Sequence, residues 1–367
     1  MAKCNFFDGM NLISKSIKTP EKYSVIGQMS GTSLDGMDLG LFRFWEENGR
    51  WKFEIGEVET ISYPDQWKKD LALALEKSSD ELIRLDRAYG IWVGKEISTF
   101  CLKHKLLPLL VGCHGHTVWH QPERGFTLQI GHGGAIALHA GLLVVNDFRS
   151  QDVTLGGQGA PLVPIGDELL FPDLKWCLNL GGIANITDKQ SGIAFDICPA
   201  NLLLNHFAMK LALEYDHNGT CARKGRVIPD LLASWLALPY FQSKAPKSLG
   251  KEWVEANILS KDHSNCSTED LLATSVELTA KLVGASLKKL GSQGIVTGGG
   301  AHNAYLMERI EFHCGFKIRQ TDSKMTDFKE ALIFAFMGLL RYLNRVNVLS
   351  KYTGSSRDHS AGSIWLP

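Results

Sequence analysis

The sequence lacks the features that mark several specialised classes of protein. Its 39 basic and 39 acidic residues cancel, so no net charge points to nucleic acid or to an anionic membrane as a partner. No apolar run approaches the ~20 residues of a membrane-spanning helix. The eight cysteines include no CxxC pair, which favours reduced thiols in a cytoplasmic protein. Polar residues interrupt residues 1–23, so we predict a short extension there without a targeting role.

Length and patterning predict two domains of α/β type. A chain of 367 residues is longer than a single core usually grows. Apolar strands alternate with helical segments, which is typical of an α/β architecture. The segment 151–161 is rich in glycine and other turn residues. We therefore predict one domain over residues 1–150 and a second over residues 151–367.

Apolar spacing also predicts the elements that carry the polar motifs. A helical stretch opens at Pro64 and runs to about residue 91, and a second one covers residues 93–106. A short strand then leads into a loop at residues 113–117. In the second half, an apolar strand over 193–195 should end at an aspartate, the residue discussed below as a candidate base.

Three glycine-rich turns each follow an apolar strand. In the first, the apolar run resumes without a helical period, so residues 25–42 are interpreted as strand, tight turn and strand, with glycines supplying the positive φ. A P-loop would need a helix directly after the glycines. An anion could instead bind the turn N–H groups and hydroxyls, and Asp35 and Asp38 could hold Mg²⁺. A hairpin that merely needs glycine is the alternative.

The other two turns lie in the second half of the chain. One covers residues 181–185, and the other covers residues 298–301 and opens a helix.

Five of the twelve histidines lie between residues 114 and 139. A zinc site is an alternative interpretation of this cluster, but no HxxxH or paired-cysteine spacing supports it.

Three such turns in two halves resemble those of the actin-like ATPase and sugar-kinase superfamily, which binds ATP in a cleft between two related domains. Within it, the chain resembles the anhydro-N-acetylmuramic acid kinase family from about residue 25 to residue 340. The motifs that carry this resemblance are residues 27–38, 114–117, 127–131, 147–149, 156–164, 179–185, 195–196 and 298–303.

The resemblance implies a fold and a reaction. The fold is a two-domain actin-like α/β fold, of the sugar kinase and Hsp70 type, with ATP in the cleft between the domains. The reaction is the ATP-dependent phosphorylation of 1,6-anhydro-N-acetylmuramic acid, while water opens the anhydro ring. It gives N-acetylmuramic acid 6-phosphate and ADP in peptidoglycan recycling. A homodimer is the family expectation.

The resemblance also implies the residues that bind ATP. Phosphoryl transfer depends mainly on positioning and charge neutralisation, so the turns and Mg²⁺ should carry the phosphates. Asp35 and Asp38 are the implied metal ligands. The implied ATP-binding residues are Gly31, Thr32, Ser33, Leu34, Asp35, Gly36, Met37, Asp38, Gly181, Gly182, Asn185, Gly298, Gly299, Gly300, Ala301 and Asn303.

On the sugar side, the resemblance implies Asp196 as the catalytic base for water. Arg149 could pair bidentately with the lactyl carboxylate of the sugar, and a surface salt bridge is the alternative. From the residues alone, Asp196 would be a helix N-cap and Glu330 a solvated helix residue. The implied sugar-binding residues are His114, Thr117, Gln129, Asp147, Arg149 and Glu330.

The chain departs from the family pattern at three places. Residues 198–201 read Cys-Pro-Ala-Asn where Gly-Pro-Gly-Asn is usual, His116 replaces a glutamine, and Lys251 replaces an arginine. The first two departures concern the sugar pocket.

Two other classes of protein stay open from the residues alone. They are a nucleotide-gated binding protein, which would have no use for the sugar-side carboxylates, and a metal hydrolase built on the histidine cluster.

Overall fold

The computed structural model describes residues 21–31, 34, 36–319 and 321–367. The predicted extension over residues 1–23 therefore lies outside the described residues, except for residues 21–23. The strands are β1 Tyr23–Ser30, β2 Met37–Glu47, β3 Arg50–Ile61, β4 Leu110–Cys113, β5 His116–Gln121, β6 Phe126–Ile130, β7 Leu143–Asn146, β8 Trp176–Leu180, β9 Ile183–Asp188, β10 Ile193–Pro199, β11 Gly294–Thr297 and β12 Ser363–Trp365.

Helices follow the strands in both halves of the chain. They are α1 Asp65–Ala72, α2 Ser79–His104, α3 Gly133–Ala140, α4 Ser150–Thr154, α5 Pro164–Leu170, α6 Asn201–Met209, α7 Thr220–Lys224, α8 Pro229–Leu236, α9 Pro239–Gln242, α10 Lys251–Val254, α11 Thr268–Leu290, α12 Ala304–Cys314, α13 Ser323–Tyr342 and α14 Ser350–Thr353. Within the described residues, none of these helices combines the length and apolar content that crossing a membrane requires.

The structure has two mixed sheets, and four adjacent strands follow the same order in both. In the first, the order is β12-β7-β4-β1-β2-β3, with β1, β2 and β3 antiparallel and β4 parallel to β1. In the second, the order is β10-β9-β8-β11, where β8, β9 and β10 are antiparallel and β11 is parallel to β8. The second sheet thus repeats the β3-β2-β1-β4 part of the first. The predicted α/β class and the recurrence of the opening pattern are confirmed.

The two sheets draw on different parts of the chain, with one exception. Strands β1 to β7 precede residue 150, and β8 to β11 follow it, but β12 returns to pair with β7 in the first sheet. Helix α13 also packs on the first sheet, against β1 and β4. The division at residue 150 stays a prediction, and the last part of the chain contributes a helix and an edge strand to the first sheet.

Glycines allow α13 to lie directly on the first sheet. Gly27 and Gly112 are neighbours on the parallel strands β1 and β4. A Cβ on Gly27 would lie 2.0 Å from the carbonyl oxygen of Ala331, and one on Gly112 would lie 2.1 Å from that of Phe334. Only glycine permits this contact between sheet and helix backbones. The contact fixes the position of Glu330, the residue before Ala331.

The predicted break between two helical stretches near residue 92 is wrong. Helix α1 ends at Ala72, and α2 starts at residue 79 behind a capping box formed by Ser78 and Glu81. Helix α2 then continues through Gly90 and Gly94. An added Cβ on Gly90 would lie 2.8 Å from the carbonyl oxygen of His132, the N-cap of α3, and one on Gly94 would lie 2.8 Å from that of Ile136 in α3. These glycines serve close helix packing and do not end the helix.

Candidate active site

The first glycine turn joins β1 to β2, as predicted. These antiparallel strands pair Met29 with Asp38 and Ser30 with Met37. The turn residues that the structure describes are Gly31, Leu34 and Gly36, with Met37 and Asp38 already in β2. The predicted ATP ligands Thr32, Ser33 and Asp35 lie outside the described residues, so their roles stay predictions.

Gly36 serves packing in this turn. The positive φ in its described part belongs to Leu34, at 60°, and not to Gly31 or Gly36, so that part of the prediction is wrong. A Cβ on Gly36 would lie 2.6 Å from the methyl group of Thr60 on β3. The tight approach brings Asp38 beside β3, where the Thr60 hydroxyl donates a hydrogen bond of 2.6 Å to its carboxylate.

A row of polar side chains crosses the second sheet. Thr297 on β11 pairs with Asn179 on β8, Asn179 pairs with Asn185 on β9, and Asn185 pairs with Asp196 on β10. Side chains directly opposite on antiparallel strands share one face, about 4.5–5.5 Å apart at Cβ. Asp196, Asn185 and Asn179 therefore lie side by side on one face of the sheet.

Glu330 connects this row to the first sheet. The Asn179 side-chain amide donates to the Glu330 carboxylate at 3.5 Å. Burial raises the pKa of Glu330, and Asp38 adds to this effect, whereas Lys329 and Arg149 oppose it. The interpretation of Glu330 as a solvated helix residue is wrong. Its carboxylate contacts the polar row through Asn179, and the charges of Asp38 and Arg149 both act on its pKa.

The second and third glycine turns meet at the start of α6. The carbonyl groups of Gly181 and Gly182 accept hydrogen bonds from the N–H group that precedes α6 and from the first two N–H groups of α6. The Asn201 side chain donates to the Leu180 carbonyl at 3.3 Å. An added Cβ on Gly300 would lie 3.2 Å from the Asn201 Oδ1 atom. The two turns thus form one surface at the ends of β8 and β11.

The third turn is a strand-to-helix connection, as predicted. Gly298 has a φ of 86°, and its N–H donates to the Thr326 carbonyl of α13 at 2.7 Å. Residues Gly299–His302 form a short 3₁₀ turn that includes Ala301. The Asn303 side chain accepts from the Leu306 N–H and caps α12. Whether these residues also bind ATP stays a prediction.

Asp196 lies inside β10. The prediction that it ends a strand is wrong, because β10 continues through a bulge between Asp196 and Cys198 to Pro199. Asp196 also does not cap α6, which starts at Asn201. Its Oδ2 atom accepts from the Leu249 N–H at 2.8 Å. Burial raises the pKa of Asp196, and the Leu249 N–H partly opposes that rise because it stabilises the carboxylate.

Arg149 is a part-buried cation that two hydrogen bonds hold in place. Its guanidinium donates to the Gly159 carbonyl at 2.7 Å and to the His114 Nε2 atom at 2.8 Å. Its Nε atom has no hydrogen-bond partner within the part of the chain that the structure describes. Burial lowers the pKa of Arg149 to about 10, so the group stays charged at neutral pH. Arg149 forms no ion pair with a carboxylate among the described residues, and its burial does not fit the alternative of a surface salt bridge.

The Arg149 contact fixes the state of His114. Arginine only donates, so the Nε2 atom of His114 must accept, and the proton lies on Nδ1. This Nδ1–H group donates to the Gly115 carbonyl at 2.9 Å. Burial and the Arg149 charge hold the pKa of His114 well below its usual range. His114 is therefore neutral and orients Arg149, instead of acting as a base.

The β5–β6 ribbon carries two of the remaining sugar-side candidates. Thr117 and Gln129 are paired across it, and Gln129 donates to Thr127 at 2.8 Å. The loop predicted for residues 113–117 is shorter than expected, because β5 already begins at His116. Asp147 accepts from the Ser150 hydroxyl at 2.6 Å. Contact of these side chains with the sugar stays a prediction.

Comparison with known proteins decides the family. The model of the family described as "AnmK: Anhydro-N-acetylmuramic acid kinase" matches residues 23–367. This chain belongs to that family. A relative named anhydro-N-acetylmuramic acid kinase from Actinobacillus pleuropneumoniae serotype 7 (strain AP76) is 36% identical, with 93% of this chain and 98% of the relative covered.

Other relatives carry the same name. The one from Shewanella oneidensis is 37% identical over 92% of this chain and 97% of its own, and the one from Sulfurimonas denitrificans is 34% identical over 93% and 98%. A solved structure, the Acidaminococcus fermentans (R)-2-hydroxyglutaryl-CoA dehydratase component A, has a TM-score of 0.45 at 12% identity, covering 86% of this chain and 97% of that one. Membership of the anhydro-N-acetylmuramic acid kinase family confirms the predicted kinase activity and ATP use, in preference to the nucleotide-gated and metal-hydrolase alternatives.

Sequence reasoning missed Gln28 as a site candidate in this kinase. Gln28 is fully buried on β1, and its Oε1 atom accepts from the Gly115 N–H at 3.1 Å and from the Cys113 thiol. Its Nε2 atom has no partner among the residues described. A buried amide with an unsatisfied donor needs a partner, which a ligand can supply. The signal was a polar side chain in an apolar strand.

The histidine cluster of this kinase includes a buried, neutral side chain and does not form a metal site within the described residues. His116 is buried, and its Nδ1 atom lies 3.2 Å from the Ser30 hydroxyl, which in turn bonds with Tyr63 at 2.5 Å. Burial lowers the pKa of His116 to about 4. Across residues 21–31, 34, 36–319 and 321–367, no three His, Cys, Asp or Glu side chains form a group that could hold a metal ion.

Arg149→Lys should weaken sugar binding far more than ATP binding. Lysine keeps the charge but loses the planar pair of donors that a carboxylate requires. We expect the KM for the sugar to rise by about 10-fold or more, with little change in the KM for ATP. Steady-state kinetics with each ligand varied in turn measures this. Arg84→Lys, on the exposed surface of α2, is the matched control. Equal losses for both ligands would show that Arg149 only supports the structure.

Proposed function

We propose that this protein phosphorylates 1,6-anhydro-N-acetylmuramic acid with Mg²⁺-bound ATP, and that Asp196 activates the water that opens the anhydro ring. The observation that carries this proposal is the polar row from Asp196 to Asn179, which continues to Glu330 and hence to Asp38 and Arg149. The candidate base Asp196 is thus linked through Asn185 and Asn179 to Glu330 on α13, the helix that packs on the first sheet.

Asp196 supports the proposed hydrolytic step. Its carboxylate takes a proton from water, and the water oxygen bonds to the anomeric carbon. The bond between that carbon and O6 breaks, and its electron pair stays on O6. O6 then bonds to the γ-phosphorus, and ADP leaves with the electron pair of the broken P–O bond. The raised pKa of Asp196 suits this role, because a base works best when its pKa approaches the operating pH.

Arg149 supports the binding of an acidic sugar. It is charged and oriented by His114 and Gly159, and its Nε–H lacks a partner among the described residues. The lactyl carboxylate of the sugar would supply that partner. An arginine held in advance by two hydrogen bonds loses little side-chain entropy when it binds.

The donor set near Asp38 fits Mg²⁺. Magnesium is usually bound by one or two carboxylates together with waters and phosphate oxygens, and Asp38 presents such a carboxylate, oriented by the Thr60 hydroxyl. The Asp38 charge also raises the pKa of Glu330, so the two carboxyl groups interact, and a divalent cation at Asp38 would relieve that repulsion. When bound, Mg²⁺ supplies charge neutralisation for the phosphates. Asp38 and the predicted ligand Asp35 would hold it.

Asp38→Asn should weaken metal-dependent turnover by at least ~10-fold, on the scale of one lost charge-neutralising contact. The amide keeps an oxygen for the Thr60 hydroxyl, so the hairpin should remain folded. A titration of turnover against Mg²⁺ at saturating ATP and sugar measures the change. Asp65→Asn, at the first residue of α1, is the control. An unchanged Mg²⁺ dependence in Asp38→Asn would remove Asp38 from the metal site.

A homodimer and a cytoplasmic location are further parts of the proposal. Both come from the resemblance to the family, and the cysteine pattern supports the second. Light scattering coupled to gel filtration tests the dimer, since a mass near 40.6 kDa would indicate a monomer.

A further inference from the structure

The segment from α9 to Leu249 contacts Asp196 at three points. β10 is the edge strand of the second sheet, so the outer backbone groups of Asp196 face away from β9. The Asp196 N–H donates to the Lys247 carbonyl at 3.0 Å. The Tyr240 hydroxyl donates to the Asp196 carbonyl at 2.7 Å, and the Leu249 N–H donates to the Asp196 carboxylate at 2.8 Å. One segment thus holds both the backbone and the side chain of Asp196.

Tyr240 and Lys247 hold this segment in shape. The Lys247 Nζ atom donates to the Tyr240 carbonyl at 2.8 Å and lies 4.4 Å from the centre of the Tyr240 ring. The ring also packs on Trp253, with centroids 5.3 Å apart. Leu249 is buried, which anchors the other end of the segment. The hydrogen bond from Leu249 to the carboxylate therefore depends on Tyr240 and Lys247, although neither side chain contacts that carboxylate.

We propose that Tyr240 and Lys247 are positioning residues for Asp196, which keep the Leu249 N–H on one carboxylate oxygen and leave the other oxygen for the attacking water. This inference depends on the proposed role of Asp196 as the base. The Oδ1 atom of Asp196 accepts no hydrogen bond from the described residues, which fits a water-facing oxygen.

Positioning by a donated hydrogen bond has a consequence for pH dependence. A donor to the carboxylate favours the charged form, so its loss should raise the pKa of Asp196. A base must be unprotonated to act, so the acid limb of the rate profile should then move to higher pH. The charged and titratable groups near Asp196 do not reverse this expected rise in its pKa. Tyr240 and Cys198 are neutral, because burial raises the pKa of each above its ordinary value, and Lys247 is the nearby cation.

Tyr240→Phe removes the hydroxyl and keeps the ring contacts with Lys247 and Trp253. We expect kcat to fall by about 3- to 10-fold, as for one lost hydrogen bond. The acid limb of kcat/KM for the sugar should move up by about half a pH unit, and the KM for ATP should stay unchanged. Lys247→Met should act in the same direction, and Lys247→Arg should restore most of the activity.

Two further variants separate the possible outcomes. Tyr215→Phe, at an exposed tyrosine remote from these contacts, should leave kcat and the pH profile unchanged. Asp196→Asn should abolish the acid limb, and a limb that survives would refute the role of Asp196 itself. If Asp196→Asn abolishes the limb but Tyr240→Phe leaves both kcat and the limb unchanged, the positioning role is refuted. A Tyr240→Phe variant that loses ATP affinity and thermal stability together would refute it as well.

Discussion

Asp196→Asn should lower turnover by ~10²–10⁴-fold, the range that a general base contributes, while ATP still binds. Asparagine has nearly the same shape, so it still accepts the Leu249 N–H through its oxygen, but it cannot take a proton from water. Coupled measurement of ADP release gives the turnover, and calorimetric titration gives the ATP affinity.

A control shows whether the loss is specific to this carboxylate. Asp173→Asn changes an exposed aspartate that pairs with Arg50, and it should keep full activity. If Asp196→Asn retained more than about a tenth of the turnover, a general base at this position would be contradicted. The remaining rate would have to come from another group.

Gly27→Ala should disturb both stability and catalysis. The new Cβ would lie 2.0 Å from the Ala331 carbonyl oxygen, which belongs to a helix backbone and cannot rotate away. Overpacking of this kind costs about 1–3 kcal/mol of folding free energy. Because α13 must shift to relieve the contact, Glu330 should move relative to Asn179 and Asp38, and turnover should fall by about 10-fold or more.

Thermal unfolding together with steady-state kinetics measures both effects. Gly49→Ala is the matched control, because its turn between β2 and β3 has a φ of 74° but no atom within 4 Å of the added Cβ. It should lose about 1–2 kcal/mol of stability, the cost of a Cβ in the left-handed region, and no activity. A Gly27→Ala variant with native stability and turnover would show that the helix does not hold Glu330 in place.

The sequence predicted the elements that depend on local patterns. The strand, tight turn and strand over residues 25–42 and the strand-to-helix turn at residues 298–301 form as predicted, because each is marked by an apolar run next to turn residues. The predicted break near residue 92 does not exist, because α2 runs unbroken through Gly90 and Gly94. Here they make room for α3, a neighbour that only the tertiary structure reveals.

The polar row could not be predicted, because it depends on strand register. Asn179, Asn185 and Asp196 are separated along the chain, and a shift of one residue in the pairing of β9 would move Asn185 to the other face. The motifs identified two of these residues as candidates, but not their adjacency. Asn179 stood in a motif without an assigned role, although it is the residue that contacts Glu330.

The protonation and hydrogen bonding of the candidate sugar-binding residues could also not be predicted from the sequence. A sequence cannot show that Arg149 donates to His114, and this contact decides which nitrogen of His114 carries the proton. The motif suggested His114 as a direct sugar ligand. The structure gives it the further task of orienting Arg149.

The most direct test of the central claim is the fate of oxygen from water. The reaction is run with ATP and 1,6-anhydro-N-acetylmuramic acid in ¹⁸O-labelled water, and the product is analysed by mass spectrometry. Unlabelled N-acetylmuramic acid 6-phosphate kept in the same water corrects for spontaneous exchange at the anomeric position. If Asp196 activates water at the anomeric carbon, the label appears on the anomeric hydroxyl and the phosphate stays unlabelled. Label in the phosphate would mean that water attacks ATP, and that result would contradict the account.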